Sequence, residues 1–287
     1  MAQNNHFFVG KTINCNGKLL DLGQIHIMGI LNTTPDSFHD GGKYIGSDNA
    51  LKQAEKLINE GASIIDVGGY STRPGAEKVS ENEELLRVIP IIQKLSQAFP
   101  EIILSIDTFR AKVAEEAIIH GAGLVNDISG FQFDAQILDV VAQHQIPYVL
   151  MHVEGNLDSM HQVPNYNEIV HDVGVYFEEK IALLRAKNVS QIILDLGFGF
   201  SKNSNHNYQL FNQIKYFIEK FNLPQLVGVS HKRMIREIVG NEVSQTLLGT
   251  HILNFYAMQQ GASIIRVHDV KEAMATKNLY LQLDNYS

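Results

Sequence analysis

The chain has a single cysteine, Cys15, so no internal disulfide can staple it. It has no run of about 18 apolar residues, which excludes a membrane-spanning helix. Its opening stretch, Met1-Ala2-Gln3-Asn4-Asn5-His6, carries no basic patch ahead of an apolar core, so no secretory signal is expected there. Low-complexity tracts, charge runs and a Ser/Gly/Pro-rich linker are also missing, and one domain over residues 1–287 is expected. Basic residues are in the minority: 23 Lys and Arg stand against 31 Asp and Glu, a net charge of −8. That balance argues against nucleic acid as the main partner, because phosphate backbones reward basic surfaces. A small anionic substrate is still compatible, since it answers to local pocket charge. A cytoplasmic protein with no membrane partner is the expectation.

What is present is a globular composition, 45% hydrophobic and 19% charged, and a short recurring unit. Gly61-Ala62-Ser63-Ile64-Ile65-Asp66, Gly121-Ala122-Gly123-Leu124-Val125-Asn126 and Gly261-Ala262-Ser263-Ile264-Ile265-Arg266 share one pattern. A helical stretch stops at a glycine suited to the left-handed position after a helix. A β-branched run follows and ends on a polar residue. The same rule places strands at Ile25–Leu31, Ile64–Val67, Ile102–Ile106, Leu124–Asn126, Tyr148–His152, Ile192–Leu194, Leu226–Val229 and Ile264–Val267. The clearest helices between them are Asn49–Asn59, Glu81–Ala98, Ala111–His120, Ala135–Gln143, Tyr166–Ala186, Tyr208–Phe221 and Val243–Gln260. Alternation of buried strands and helices reads as an α/β fold, a (β/α)8 TIM barrel. Phe7-Phe8-Val9 and the turn-like Asn14–Gly17 read as a short N-terminal β-hairpin closing the barrel bottom. A doubly wound open sheet is the alternative, but no G-x-G-x-x-G follows the first strand.

Barrels of this kind work at the C-terminal ends of their strands. There the sequence places Asn32, Asp66, Asp107, Asn126 with Asp127, His152, Asp195, Ser230 with Lys232, and Arg266 with His268. Asp, Asn and Ser also favour helix N-caps, yet here every strand ends in such a group. Carboxylates such as Asp107 and Asp195 can take two parallel hydrogen bonds from a planar N–C–N edge, as a 2-aminopyrimidinone ring presents. Lys232 adds a cation for a ring carbonyl. Arg266 and His268 are two apart, so they share a strand face and suit phosphate oxygens. Two long Gly/Pro-containing loops, from Asn32 to Gly42 and from Gly68 to Ala76, sit on the same rim and are candidates to cover a substrate.

Met28-Gly29-Ile30-Leu31-Asn32-Thr33-Thr34-Pro35-Asp36-Ser37-Phe38 and Asp66-Val67-Gly68-Gly69 with Ser71-Thr72-Arg73-Pro74-Gly75-Ala76 resemble two signatures of the dihydropteroate synthases. Ser105-Ile106-Asp107-Thr108, Asn126-Asp127-Ile128, Leu150-Met151-His152, Gly197-Phe198-Gly199-Phe200 and Arg266-Val267-His268-Asp269-Val270 continue the resemblance in order. It implies that p-aminobenzoate displaces pyrophosphate from a pterin pyrophosphate, with electrostatic rather than covalent help from the protein. It further implies that Asn32 helps hold Mg²⁺, that Thr72, Asp107, Asn126, Asp195, Phe200 and Lys232 bind substrate, and that Arg266 and His268 take the diphosphate. Arg73, Thr72 and Ser230 would border p-aminobenzoate, and Asp66 would organise the rim. A homodimer is implied through late helices; Thr246–Met258 is apolar on several sides.

This sequence departs from the family pattern at Tyr70, where Glu is usual, at Leu196 where Pro is usual, at Ser201 where Gly is usual, and at His231 where Arg is usual. His231 at a p-aminobenzoate contact would make binding fade as pH rises through neutrality. A pterin-dependent methyltransferase would share the barrel, but no corrinoid-like segment occurs and the 71–76 loop fits the synthases. A pterin-binding protein without turnover is the remaining alternative.

Overall fold

Runs of Ile, Val and Leu too short for helices and flanked by turn residues become parallel strands buried on both faces. The computed structural model describes residues 12–33, 43–72 and 78–284, with backbone alone for 43–47. A hairpin of β1 (Thr12–Cys15) and β2 (Lys18–Asp21) comes first. Cys15 pairs with Lys18, so the turn is the two-residue Asn16-Gly17, both at positive φ as such tight hairpins require. Phe7-Phe8-Val9 lies outside the described residues.

Then follow β3 (His26–Asn32), β4 (Ile64–Gly68), β5 (Ile103–Asp107), β6 (Leu124–Asp127), β7 (Tyr148–Met151), β8 (Ile192–Asp195), β9 (Gln225–Val227) and β10 (Ile264–Val267). Each pairs in parallel with its neighbour, and β10 pairs with β3 from Ile264↔His26 to Val267↔Gly29, which closes the barrel. The connecting helices are α1 (Lys43–Asn59), α2 (Glu81–Ala98), α3 (Ala111–Ile119), α4 (Ile137–His144), α5 (Ile169–Ala186), α6 (Ser204–Phe211), α7 (Ile214–Phe221), α8 (Arg233–Val239), α9 (Val243–Gln259) and α10 (Val270–Asp284). The expected (β/α)8 barrel with an N-terminal hairpin is therefore what forms. The stretch expected as one helix over Tyr208–Phe221 is two, because α6 starts at Ser204, where Asn203 accepts a hydrogen bond from the His206 amide at 2.8 Å, and ends before Asn212-Gln213.

Side-chain alternation along the strands decides what each tip does. Met28, Ile64, Ile103, Leu124, Val149, Ile193, Leu226 and Ile264 point inward near the bottom and pack with Ile13, Cys15, Leu20 and Leu22 of the hairpin. The hairpin thus plugs the barrel, and burial there pushes the Cys15 thiol pKa up to about 12. Intervening residues such as Ile65, Val67, Leu104, Val125, Leu150, Leu194 and Ile265 face the helices in the main core. Two steps above the plug, the inward positions become Asp66, Ser105, Asn126, Asp195 and Arg266. Among the described residues no helix is long and apolar enough to cross a membrane.

Candidate active site

The centre of the rim is a charge cluster that spans the barrel. Arg266 on β10 donates from Nε to Asp66 Oδ2 on β4 at 2.6 Å and from Nη2 to Asp107 Oδ2 on β5 at 2.6 Å. Asn126 on β6 donates to the same Asp66 oxygen at 2.9 Å. Asp66 is fully buried, and its other oxygen accepts nothing from the described residues. One guanidinium therefore serves two carboxylates. Burial pushes the Asp107 pKa up to about 7; Arg266 opposes the shift and the charges of Asp66, Glu84 and Asp127 add to it.

A second group lines the neighbouring wall. Burial raises the pKa of Asp195, at the end of β8, against the pull of Lys232, and Asp195 accepts from the Gly197 amide at 2.8 Å. Lys232, just before α8, donates to the Phe198 carbonyl and lies 5.0 Å from the Phe200 ring centroid. Burial pushes its pKa down to about 8, with Asp195 opposing. Phe200 stacks on His161 at 5.6 Å, and His161 bonds the Thr72 carbonyl at 2.7 Å. Beneath this wall Lys202 donates to the carbonyls of His152 at 3.3 Å, Gly197 at 3.0 Å and Phe200 at 3.0 Å. Burial lowers its pKa to about 7, opposed by Asp195. Gly197 sits at φ +67, and a Cβ there would lie 2.0 Å from the His152 carbonyl oxygen. Only glycine allows this close passage.

At the tip of β9, Ser230 Oγ lies 3.0 Å from His268 Nδ1. Carboxylates able to take a planar N–H edge, a buried cation and a polar tip thus share one end of the barrel, a donor and acceptor set that suits a polar heterocycle. The family of pterin binding enzymes matches residues 28–268. The dihydropteroate synthase of Escherichia coli K12 is 45% identical over 260 residues, covering 90% of this chain and 91% of that protein. The chain belongs to the dihydropteroate synthases. These are transferases of folate biosynthesis. Among solved structures of the family, the Xanthomonas albilineans enzyme with 4-aminobenzoic acid superposes with a TM-score of 0.88 at 36% identity, covering 96% of this chain and 98% of that one. The same enzyme with 7,8-dihydropteroate gives 0.85 at 34% identity, covering 95% and 98%.

Against the family pattern, the structure brings Asp66, Asp107, Asn126, Asp195, Lys232 and Arg266 together and sets Ser230, His268, Phe200 and Thr72 at the same end of the barrel. Asn32 ends β3 and is half-buried, while Arg73 and Thr34–Gly42 lie outside the described residues. Two expected rim groups are not on the rim. Asp127 faces outward, accepting from Tyr148 Oη at 2.5 Å and from the Ser129 and Phe131 amides at 2.7 and 2.8 Å. His152 is buried against Tyr176 and Phe177 of α5. Both are one residue out of phase with the inward positions.

The departures find local reasons. Ser201 sits at φ +46, a region that favours glycine, and its hydroxyl accepts from the Glu154 amide at 3.0 Å. Leu196 is fully buried and packs in the main core. His231, at φ +51, has both ring nitrogens engaged, Nδ1 with Thr246 Oγ1 at 2.8 Å and Nε2 with Asp269 Oδ2 at 2.7 Å. The ring thus ties the segment after β9 to α9 and to Asp269, just ahead of α10. No motif in the sequence marks Glu84 or Arg110, and Lys202 is signalled only by its place two residues beyond Phe200.

Proposed function

We propose that the chain joins p-aminobenzoate to 6-hydroxymethyl-7,8-dihydropterin pyrophosphate, releasing pyrophosphate and 7,8-dihydropteroate. The observation that carries this is the Asp66–Arg266–Asp107 bridge with Asn126 inside the rim, beside Asp195 and Lys232. Asp195, Asn126 and Asp107 take the pterin's amino and ring N–H donors, and Lys232 meets its carbonyl. Asp66 holds Arg266 and Asn126 in place. Arg266 spends two of its donors on carboxylates, and a guanidinium has five. The rest, with His268, suit the diphosphate oxygens as the bond to the methylene breaks. Thr72, Ser230 and Phe200 border the incoming amine.

Among the described residues no group of three or more His, Cys, Asp or Glu could hold a metal ion by itself. Asn32 offers one neutral amide oxygen, a donor set that fits a Mg²⁺ arriving with its own water and phosphate ligands. Asn32 would hold that ion, and its chemistry would be to neutralise charge on the leaving group. The protein works as a cytosolic homodimer in this reading. The α9 face with Leu248 at 58% and Ile252 at 60% exposure supports a covered surface. Incubation with Mg²⁺, the pterin pyrophosphate and p-aminobenzoate should yield dihydropteroate by liquid chromatography. Absence of product with a folded protein and both substrates in excess would overturn the reading.

A further inference from the structure

The second rim loop leaves β4 at Gly68 and reaches α2 at Glu81. Its first arm is described to Thr72 and its second from Lys78. At Gly69 the backbone lies directly on α2: a Cβ there would stand 2.6 Å from Val88 Cγ1, and the carbonyl accepts from Arg87 Nη1 at 3.1 Å. The two arms also share a contact. Arg110, the residue before α3, donates from Nη2 to the Val79 carbonyl at 2.6 Å on the second arm. The same guanidinium lies 5.3 Å from the Tyr70 ring centroid on the first arm and 5.0 Å from that of Phe109. Its Nη1 is paired with Glu84, a fully buried carboxylate that also accepts from Thr108 Oγ1 at 2.7 Å. Glu84 and Thr108 hold the fork at a fixed angle, so the face of the guanidinium is left for the aromatic rings.

We propose that Arg110 is a positioning residue that straps the two arms of the second loop together and so sets the affinity for p-aminobenzoate, with Tyr70 as the face it presses on. The inference rests on Thr72, the last described residue of the first arm, bordering p-aminobenzoate in the proposed reaction. It also accounts for Tyr70. A Glu, usual in the family at this position, would compete with Glu84 for one guanidinium and would bring two carboxylates together at the loop root. A tyrosine ring holds the same cation without a charge, and leaves both donors of the fork to Glu84 and Val79. Tyr70 meets Phe109 edge to face at 5.3 Å, and Phe109 meets Phe133 at 5.6 Å, so the strap rests on an apolar wall rather than in water.

The test separates the Michaelis constants of the two substrates. Tyr70→Leu leaves the Arg110–Glu84 pair intact and removes only the ring. It should raise KM for p-aminobenzoate by about threefold to fivefold, the value of one cation–π contact, with KM for the pterin pyrophosphate within about twofold. Tyr70→Phe should match the wild type, and that rescue distinguishes the ring from the hydroxyl. Arg110→Met with Glu84→Gln, which avoids stranding a buried carboxylate, should raise the same constant by about tenfold or more through loss of a charged hydrogen bond. Equal rises in both constants, or none in Tyr70→Leu, would overturn the strap. A wild type that forms no dihydropteroate would instead overturn the reaction itself, so the two failures are distinct.

Discussion

Removing Arg266 isolates the energetic core of the site. Arg266→Ala leaves Asp66, which is fully buried, and Asp107, which is 17% exposed, without their shared guanidinium. Breaking one side of a buried ion pair costs about 3–5 kcal/mol, because the partner charge stays desolvated and unpaired. For a chain of this length that corresponds to a fall in melting temperature of roughly 5–8 °C. The loss should depend on pH, and the sign follows from Asp107. Its folded pKa, already raised to about 7 by burial, must rise further without the guanidinium. A carboxyl with a raised folded pKa costs stability when ionised and is relieved by protonation, so the penalty is largest above pH 7 and shrinks as pH falls. Between pH 8 and pH 6 it should differ by about 1.4 kcal/mol, the value of one pKa unit. Urea unfolding of both proteins at the two pH values reads this directly. A loss below about 1 kcal/mol, or one independent of pH, would refute the argument that one guanidinium holds two carboxylates. The same bridge means that Arg266→Ala should weaken a pterin lacking the diphosphate as well, and not the diphosphate alone, since Asp107 loses its anchor.

Lys202 supplies a second pH test. Its folded pKa of about 7 lies below the ordinary 10.5, so the unfolded chain holds a proton the folded one has shed, and wild-type stability should rise with pH between those values. Lys202→Met should flatten that rise in urea midpoints at pH 7 and pH 9; an unchanged slope would place the titration elsewhere. His231→Ala should lower stability by about 1–2 kcal/mol through lost hydrogen bonds to Thr246 and Asp269. Its KM for p-aminobenzoate between pH 6 and 8 should follow the wild type, and a changed profile would restore the histidine to the substrate. If α9 carries the proposed dimer interface, the wild type should give a dimer by light scattering at micromolar concentration and Leu248→Glu with Ile252→Glu a monomer; an unchanged mass would move the interface off α9.

Much of the architecture is local in origin. Ile64–Asp66, Leu124–Asn126 and Ile264–Arg266 are short aliphatic runs that begin three residues after a glycine and end on a polar residue, and such runs have few places to go but a buried parallel strand. Their order along the chain, with helices between, was enough for the barrel and for the end that carries the site. Finer features depended on caps: Asn203 and the Asn212-Gln213 break divide what periodicity alone joins. Asn126 and Asp127 are neighbours with similar chemistry, and only the phase of alternation separates them. Leu124 meets the hairpin plug, so Asn126 faces in and Asp127 faces the helices.

Motif content, charge sign and strand periodicity were therefore determined by the sequence itself, because they depend on neighbours within a few residues. The partners of each charge were decided by closure of the barrel. Arg266 meets Asp66 across 200 residues and Asp107 across 159, and Arg110 meets Val79 across 31. Separations of that kind carry no periodic signal: the Arg266 partners become its neighbours only when β10 pairs with β3, and Val79 comes to Arg110 only when β4 pairs with β5.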